Sequence, residues 1–263
     1  MEHSHQNWNI PPDDLQLLPN EVHVWCASLE APTPTLQEYI RFLSDEEIAR
    51  ANQFHFEKDR HHFIAAHGTL RMLLGHYLHR LPKEIRFCSN SYGKPFLDLS
   101  PDENELFFNI SHSHTFALFA FTHQRHIGVD IEYMRPGVEY ELLAQHHFSP
   151  NENEALRLLP LSEREEAFYR CWTRKEAYIK ARGKGLSITL SMFDVSLKPD
   201  EPAMLLRSRE EPHKAERWRL EDLGRDKSRP YASQQPYTSQ RDDEYAAALA
   251  VEGHDWELRC FMV

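Results

Sequence analysis

Two long segments with helical periodicity, one in each half of the chain, constrain the fold most strongly. The first covers about residues 57–79 and is stopped by Pro82, and the second covers about residues 163–181 and is closed by Gly183. Short runs rich in aromatic and β-branched residues follow each of them, and such runs predict strands. Long helices combined with groups of short, antiparallel strands are typical of an α+β fold, which we therefore predict.

Short segments account for most of the remaining chain. Strands are predicted at 21–29, 85–89, 106–110, 115–121, 126–133, 193–197, 218–221, 244–251 and 256–262. A Ser-x-x-Glu pattern at Ser44 and again at Ser149 predicts a capping box that begins a short helix. The pattern divides near residues 124–125, so we expect an N-terminal α+β subdomain over 1–125 and a C-terminal one over 126–263. The polar stretch 225–243 is interpreted as a mobile loop or insertion.

Charge and cysteine content exclude several classes of protein. The 263 residues carry 30 Lys+Arg against 41 Asp+Glu, a formal net charge of −11, which argues against a general nucleic-acid binder. The same balance at first argues against any polyanionic ligand. Four scattered cysteines without a C-x-x-C motif predict neither a disulfide framework nor a zinc knuckle, and they favour a reducing compartment. No apolar stretch reaches membrane-spanning length and no secretory signal is visible, so we expect a cytoplasmic protein.

An acidic pair stands on the predicted strand 126–133. Side chains alternate between the two faces of a strand, so Asp130 and Glu132 share one face with Gly128. The other face is apolar, with Ile127, Val129 and Ile131. Two carboxylates at this spacing repel each other and suit Mg²⁺, which takes one or two carboxylates together with water and substrate phosphates. The spacing alone leaves open an ordinary solvated strand face with two charges.

A second group of charged residues lies near the end of the second long helix. Trp172, Glu176 and Lys180 are spaced i, i+4, i+8 and therefore share one helix face. Between residues 170 and 184 there are six basic residues and Glu176 as the single acid, so we expect this carboxylate to stay ionised. The alternative is a surface Glu–Lys pair, which contributes roughly 0.3–0.5 kcal/mol.

Two further sets of residues have the chemistry to contact phosphate. Ser111 and His112, at a strand end, suit phosphate hydrogen bonds, but a Ser–His catalytic pair without a G-x-S-x-G elbow and a plain polar turn both remain open. Arg60 and Arg71 lie on one stripe of the first long helix, about 16 Å apart at 1.5 Å per residue. That spacing suits an extended anion, and a polar helix face is the alternative.

The order of the motifs is more specific than any one of them. The series is Tyr-Gly-Lys-Pro at 92–95, Asn-Ile-Ser-His-Ser at 109–113, Gly-Val-Asp-Ile-Glu at 128–132, Trp-x-x-Lys-Glu-Ala-x-x-Lys at 172–180 and Gly-Lys-Gly-Leu at 183–186. It closely resembles the 4′-phosphopantetheinyl transferase superfamily in its long, monomeric form. The similarity covers about residues 44–251.

The resemblance implies a fold and a reaction. The fold is two similar α+β subdomains related by a pseudo-twofold axis, with the site in the cleft between them. The reaction moves the phosphopantetheine arm of coenzyme A to a serine of an apo carrier protein, and adenosine 3′,5′-bisphosphate leaves. The carrier belongs to fatty-acid, polyketide or nonribosomal-peptide biosynthesis. No nucleic acid or membrane partner is implied.

The resemblance also implies roles for individual residues. Asp130, Glu132 and Glu176 become Mg²⁺ ligands, with Asp130, Glu176 and Lys180 as the catalytic group. The residues implied to hold coenzyme A are Arg60, Arg71, Lys94, Ser111, His112, Lys175 and Lys180. Lys58 competes with Arg60 for the 3′-phosphate.

The acidic carrier needs a basic or apolar rim on the enzyme, and the candidates in the sequence are Arg170, Arg174 and Arg182. Because coenzyme A is itself a polyanion, the distribution of charge matters more than its sum. The basic 170–184 stretch therefore reconciles an acidic chain with a phosphate ligand. Two other hypotheses for the function remain: a Mg²⁺-dependent phosphodiesterase with water as nucleophile, and a catalytically idle carrier-binding module.

Overall fold

The computed structural model describes residues 8–100, 106–199, 201–224 and 245–263. Within them the chain forms two compact units. One contains Arg125–Trp256, and the other contains Trp8–Gln124 together with Glu257–Val263. The fold is mixed α+β, as predicted. No helix in the described ranges has the length and apolar character needed to cross a membrane.

The described residues form six α-helices and twelve strands. The helices are α1 (Thr33–Phe42), α2 (Asp45–Ala51), α3 (Glu57–Leu78), α4 (Tyr140–His147), α5 (Pro150–Leu158) and α6 (Leu161–Arg182). The strands are β1 (Trp8–Asn9), β2 (Glu21–Ser28), β3 (Phe87–Ser89), β4 (Pro95–Leu97), β5 (Leu106–Ser113), β6 (Phe116–His123), β7 (Ile127–Tyr133), β8 (Phe193–Val195), β9 (Leu205–Ser208), β10 (Trp218–Asp222), β11 (Tyr245–Glu252) and β12 (Glu257–Met262).

The first unit is a five-stranded sheet packed with α3. The strand order is β1-β12-β2-β6-β5, in which β12 runs parallel to β1 and β2 and the other pairs are antiparallel. The predicted helix over 57–79 is confirmed, and it ends where His79 adopts a left-handed conformation with φ 52°. Gly68 allows α1 to approach α3, because a Cβ at that position would lie 2.4 Å from the Cβ of Tyr39.

The second unit places α6 against a three-stranded antiparallel sheet of order β10-β11-β7. Gly183 ends α6 in a left-handed conformation with φ 64°, as its position after the helical pattern indicated. Both predicted capping boxes are confirmed: the hydroxyl of Ser44 accepts from the backbone of Glu47, and that of Ser149 accepts from Glu152. The strands β8 and β9 form a separate hairpin.

The structure differs from the sequence expectations at several elements. The sequence did not predict α1, α4, β4 or β9. The strand β12 lies in the sheet of the first unit, where Cys260 is in register with Val24, although the sequence assigned it to the C-terminal subdomain. It also pairs in parallel, whereas only antiparallel strands were expected. The predicted mobile segment 225–243 lies outside the described residues.

Candidate active site

Gly128 brings β7 into direct backbone contact with α6. A Cβ at this position would lie 2.1 Å from the carbonyl oxygen of Ala177 and 2.3 Å from the amide nitrogen of Ala181. Those are backbone atoms and cannot rotate away, so only glycine permits this approach. The face of β7 that carries the acidic pair is therefore turned towards α6 and is not a freely solvated surface.

Asp130 and Lys180 form an ion pair across this contact. The Nζ of Lys180 lies 2.6 Å from Oδ1 of Asp130, and the aspartate is only 3% exposed. On the other side of β7, Asp130 is in register with Ala248 of β11. The strand and the helix together hold the carboxylate next to a single lysine of α6.

Glu176 completes a cluster of three carboxylates. Burial raises the pKa of Glu176, and the charges of Asp130 and Glu132 raise it further, while Lys180 acts in the opposite direction. The two acids of β7 are thus close enough to Glu176 to influence its ionisation. The net effect of burial and of these three charges is a raised pKa for Glu176.

These three carboxylates are a suitable donor set for Mg²⁺. Hard oxygen ligands are the ones Mg²⁺ prefers, and a divalent cation would relieve the repulsion that raises the pKa of Glu176. In the side-chain arrangement found here, the described residues contain no group of three or more His, Cys, Asp or Glu side chains gathered closely enough to hold a metal ion. The donor chemistry therefore fits the ion, and the observed conformation pairs Asp130 with Lys180 instead.

Trp172 extends the site face of α6 by one turn towards α4. Its ring packs against Phe148 and Phe168 and makes an edge-on contact with His147, with ring centroids 5.6 Å apart. Two exposed side chains of α4, His147 and Leu143, lie on this side of the unit. The sequence did not identify α4 and so missed its connection to Trp172.

Lys175 does not belong to this face. It is fully buried, and its ammonium group contacts Glu152 Oε2 at 2.8 Å and the carbonyl oxygens of Leu190 at 2.8 Å and Phe193 at 2.6 Å. Three oxygens use all three N–H donors of the ammonium. The expectation that Lys175 binds coenzyme A is therefore withdrawn.

The basic stretch 170–184 is largely neutralised by ion pairs. Arg170 contacts Glu166 and Asp222, Arg174 contacts Asp222 and Ser196, and Arg182 contacts Glu211. Arg174 is 2% exposed, and the side chain of Arg182 is 8% exposed. These arginines do not form the open basic rim that the sequence suggested, because their guanidinium groups are committed to internal partners.

In the first unit, Arg71 is also committed to the interior. Its Nε donates to Oε2 of Glu47 at 2.6 Å, and its Nη1 donates to the carbonyl oxygens of Pro82 and Ile85, both at 2.9 Å. The residue is 2% exposed. We therefore correct its predicted contact with the nucleotide to a structural role that ties α2 and α3 to the chain that follows α3.

Arg60 differs from Arg71 although both lie on the predicted stripe of α3. Arg60 is partly exposed, and its Nε donates to the side chain of Asn52 at 3.3 Å. Lys58, the alternative contact for the 3′-phosphate, is exposed two residues earlier. Both side chains are accessible to a ligand, whereas Arg71 is not.

Lys94 lies in a tight turn between β3 and β4. Gly93 adopts φ 87°, and the side-chain oxygen of Asn90 accepts the backbone N–H groups of Tyr92 and Lys94, both at 2.9 Å. Burial lowers the pKa of Lys94 to about 8. Burial in this turn therefore makes the charged form of Lys94 less favourable than it is in water.

Ser111 and His112 are neighbours on β5. Ser111 is 6% exposed and His112 is exposed, as expected for adjacent residues that point to opposite faces of a strand. This arrangement rules out the catalytic Ser–His pair that the sequence left open. A separate phosphate contact by either residue stays a prediction.

Comparison with known proteins identifies two matching family models. The model of the 4′-phosphopantetheinyl transferase superfamily matches residues 126–250. The model of the 4′-phosphopantetheinyl transferase N-terminal region matches residues 30–124. Together they cover most of each unit and all the motifs described above.

Individual relatives agree with the family models. The chain is 40% identical to the 4′-phosphopantetheinyl transferase HetI of Nostoc sp. over 250 residues, which is 95% of each protein. It is 33% identical to a putative 4′-phosphopantetheinyl transferase of Synechocystis sp. over 71% of this chain and 74% of the relative. It is 34% identical to the transferase Sfp of Bacillus subtilis over 62% of this chain and 70% of the relative.

Proposed function

The chain belongs to the 4′-phosphopantetheinyl transferase superfamily, and from that premise we propose how its residues carry out the transfer. The enzyme transfers the phosphopantetheine arm of coenzyme A to a carrier protein. The carrier serine oxygen forms a bond to the phosphorus nearer the pantetheine, and the bond from that phosphorus to the bridging oxygen breaks. Adenosine 3′,5′-bisphosphate then carries away the electron pair.

Asp130, Glu132 and Glu176 are the proposed Mg²⁺ ligands. When bound, the ion would neutralise the pyrophosphate and stabilise charge on the leaving group. Support comes from the donor chemistry and from the raised pKa of Glu176, which responds to both acids of β7. Lys180 is released from Asp130 when phosphate oxygens are present and binds them instead, since its Nζ already lies at the cluster.

Glu176 is the proposed acceptor of the serine proton, in addition to its role as a ligand. Burial and the two neighbouring carboxylates raise its pKa, whereas a bound Mg²⁺ would lower it. A glutamate has two acceptor oxygens, so one would hold the ion while the other accepts the proton. The proton moves from the serine hydroxyl to a Glu176 carboxylate oxygen as the bond to phosphorus forms. The same carboxylate then loses the proton to solvent.

Lys94, His112, Ser111 and Arg60 are the proposed contacts for the nucleotide end of coenzyme A. The lowered pKa of Lys94 and the accessibility of His112 and Arg60 support this assignment. An anion beside Lys94 would favour its charged form and offset the cost of burial. Arg71 and Lys175 are left out because their donors are used internally.

We place the carrier on the surface of Trp172 and His147, since its serine must reach Glu176 and Trp172 lies one turn away on the same helix face. Exposed Leu143 adds an apolar contact for the carrier. The arginines of α6 do not offer a basic contact there, because they are paired with acidic residues of this protein. The proposed state is a cytoplasmic monomer that binds neither nucleic acid nor membrane.

The test is the intact mass of an apo carrier after incubation with coenzyme A, Mg²⁺ and this protein. We expect the gain of one phosphopantetheine group and an equal amount of adenosine 3′,5′-bisphosphate. The Glu176→Gln variant serves as the matched control and should give neither. Release of the bisphosphate without any carrier would instead indicate a phosphodiesterase, and an unchanged carrier mass would contradict the proposal.

A further inference from the structure

The side of α6 that faces away from β7 carries a fully buried ion pair between Glu152 and Lys175. Glu152 is 2% exposed and Lys175 is 0% exposed, and their Oε2 and Nζ lie 2.8 Å apart. Ala177, which contacts Gly128, lies two residues beyond Lys175 and therefore about 200° around the helix. The helix is thus held on two opposite sides, by the β7 contact on one and by this pair on the other.

The carboxylate of Glu152 is held by contacts from three elements. Its Oε2 accepts the backbone N–H of Ser149 at 2.9 Å in the capping box of α5, and its Oε1 accepts the backbone N–H of Val195 in β8 at 2.8 Å. Cys171 lies one turn before Lys175 on α6; burial raises the pKa of its thiol, and the charge of the nearby Glu152 raises it further. Glu152 therefore joins α5, β8 and α6 through one buried group.

Lys175 adds two further fixed points to this arrangement. Its ammonium donates to the carbonyl oxygens of Leu190 and Phe193, and it lies 4.3 Å from the ring centroid of Phe193. The lysine therefore has no donor left for a substrate, although it is the immediate neighbour of Glu176. Its contacts fix the rotation of α6 about its own axis at the residue next to the carboxylate cluster.

We propose that Glu152 and Lys175 are positioning residues, which hold Glu176 in the orientation needed to share a Mg²⁺ ion with Asp130 and Glu132. This inference rests on the proposed function of that cluster. The Gly128 contact sets the distance between β7 and α6, and the ion pair sets the rotation of α6. Both are required to place a carboxylate of the helix beside those of the strand.

The geometry shows why rotation matters. A glutamate carboxylate lies about 6 Å from the helix axis, so a rotation of about 20° moves it by about 2 Å. Metal–oxygen distances tolerate changes of only about 0.2 Å, and misplacement by about 1 Å can cost roughly 10²-fold in rate. A loosened α6 would therefore lose metal affinity before it lost its fold.

The decisive variant is the double substitution Glu152→Gln with Lys175→Met, which removes both buried charges and keeps similar volumes. Neutral replacement of a buried pair is far less destabilising than removal of one partner. We expect a folded protein with a melting temperature near that of the wild type. In the presence of coenzyme A, titration calorimetry should give at least a tenfold weaker Mg²⁺ affinity.

The matched control is Asp194→Asn with Arg209→Met. That pair belongs to the same unit, with Arg209 Nη2 3.0 Å from Asp194 Oδ1, and it joins β8 to the segment after β9. Among the described residues, the other hydrogen bonds of its side chains go to Asn151 of α5 and to Ser191, and none goes to α6. The Mg²⁺ affinity of this control should stay within twofold of the wild type, even if its melting temperature falls more than that of the Glu152→Gln/Lys175→Met variant.

Glu152→Asp is the second test variant. It keeps the charge and the fold while shortening the side chain, and about threefold weaker Mg²⁺ affinity is expected.

The outcomes separate the two proposals. Weaker Mg²⁺ binding in the Glu152→Gln/Lys175→Met and Glu152→Asp variants, with the control unchanged, supports the inference. Unchanged affinity in both the double variant and Glu152→Asp overturns it, as does a loss of affinity in the control that matches its loss of melting temperature. If the wild type itself binds no Mg²⁺ with coenzyme A, the proposed ligand set fails, and the inference fails with it.

Discussion

The two sides of α6 use the same residue types for opposite purposes. On the side facing β7, Lys180 meets a cluster of three carboxylates and is partly exposed. On the other side, Lys175 is sealed from solvent, with all three donors satisfied by protein oxygens. The two lysines are five residues apart. The difference teaches that the role of a charged residue is set by the elements packed against it and not by its place in a motif.

The largest effect is expected on the side facing β7. Asp130→Asn removes one of the three carboxylates, and we expect transfer to fall by about 10³-fold, because charge stabilisation at the phosphates is lost. The melting temperature should stay the same or rise slightly, since repulsion with Glu176 is relieved. Steady-state transfer to a carrier and a thermal melt measure the two quantities. Activity within threefold of the wild type would contradict the assignment of Asp130.

On the side of α6 that faces away from β7, a substitution is expected to lower the free energy of unfolding more than the activity. Lys175→Met leaves Glu152 as a buried carboxylate without its ion-pair partner, which costs roughly 3–5 kcal/mol of unfolding free energy. The two variants should differ in kind: Asp130→Asn lowers the transfer rate, whereas Lys175→Met lowers the free energy of unfolding. Urea unfolding followed by fluorescence gives the free energy. A loss below about 1 kcal/mol would show that the Glu152–Lys175 ion pair does not hold the fold together.

The contact between β7 and α6 can be tested through Gly128→Ala. The added Cβ would meet the backbone of Ala177 and Ala181, so β7 and α6 must separate. We expect a loss of about 1–3 kcal/mol in stability from overpacking, together with weaker Mg²⁺ binding. Gly137→Ala is a useful control, because Gly137 has φ 80° and an added Cβ there would meet no atom within 4 Å, so the substitution strains the backbone without pushing on α6. Equal Mg²⁺ affinities in the two variants would argue against the role of Gly128.

Removal of Lys180 sharpens the comparison on the site face. Lys180→Ala should lower turnover by about 10²-fold. It should also lower the melting temperature, because it leaves the buried carboxylate of Asp130 without this ammonium partner. The ammonium lowers the pKa of Glu176, so its removal raises that pKa further. The rising limb of the pH–rate profile should therefore move to higher pH. A profile that does not move would exclude Glu176 as the titrating base.

The smallest effect concerns Arg71 and Glu47, the internal pair of the first unit. Burial raises the pKa of Glu47, but hydrogen bonds from His67 and Ser44 and the charge of Arg71 outweigh it and lower the pKa to about 2. A lowered pKa in the folded state gives stability that is present above the unfolded value of 4.5 and is lost as the pH falls towards 2. The stability difference between wild type and Glu47→Gln should therefore shrink over that range. A stability difference between wild type and Glu47→Gln that stays constant from pH 7 to pH 2 would contradict this account. A raised KM for coenzyme A in an Arg71→Met variant of normal stability would also contradict it.

Local features of the chain were predictable where local physics decides them. The two long helices, both capping boxes and the left-handed Gly183 follow from periodicity and end signals. The acidic pair on β7 and the face shared by Glu176 and Lys180 follow from the periods of strand and helix. The sequence does not predict which element packs against each face of these helices and strands. The strand period places Gly128 on the face of the acidic pair, but its backbone contact with Ala177 depends on tertiary structure.

The same limit explains the residues that the sequence misplaced. The helix stripe that Arg71 shares with Arg60 and the family resemblance predict a ligand contact for Arg71, and the resemblance predicts one for Lys175. Their true partners, Glu47 and Glu152, lie more than twenty residues away in the chain, so no local pattern links them. The Ser-x-x-Glu capping box did mark Glu152, but only as a helix cap. Parallel pairing of β12 with β2 is equally non-local.

The most direct test of the central claim is an anomalous-scattering crystal structure of the protein with Mn²⁺ and coenzyme A. The account predicts one Mn²⁺ peak with oxygen atoms of Asp130, Glu132 and Glu176 at about 2.1–2.2 Å. It also predicts that Lys180 leaves Asp130 for a phosphate oxygen while Lys175 keeps its contact with Glu152. A Mn²⁺ peak held by other residues, or a Lys175 that turns towards the coenzyme, would contradict the account. In that account one side of α6 binds the metal ion and phosphates, and the other side holds the helix in place.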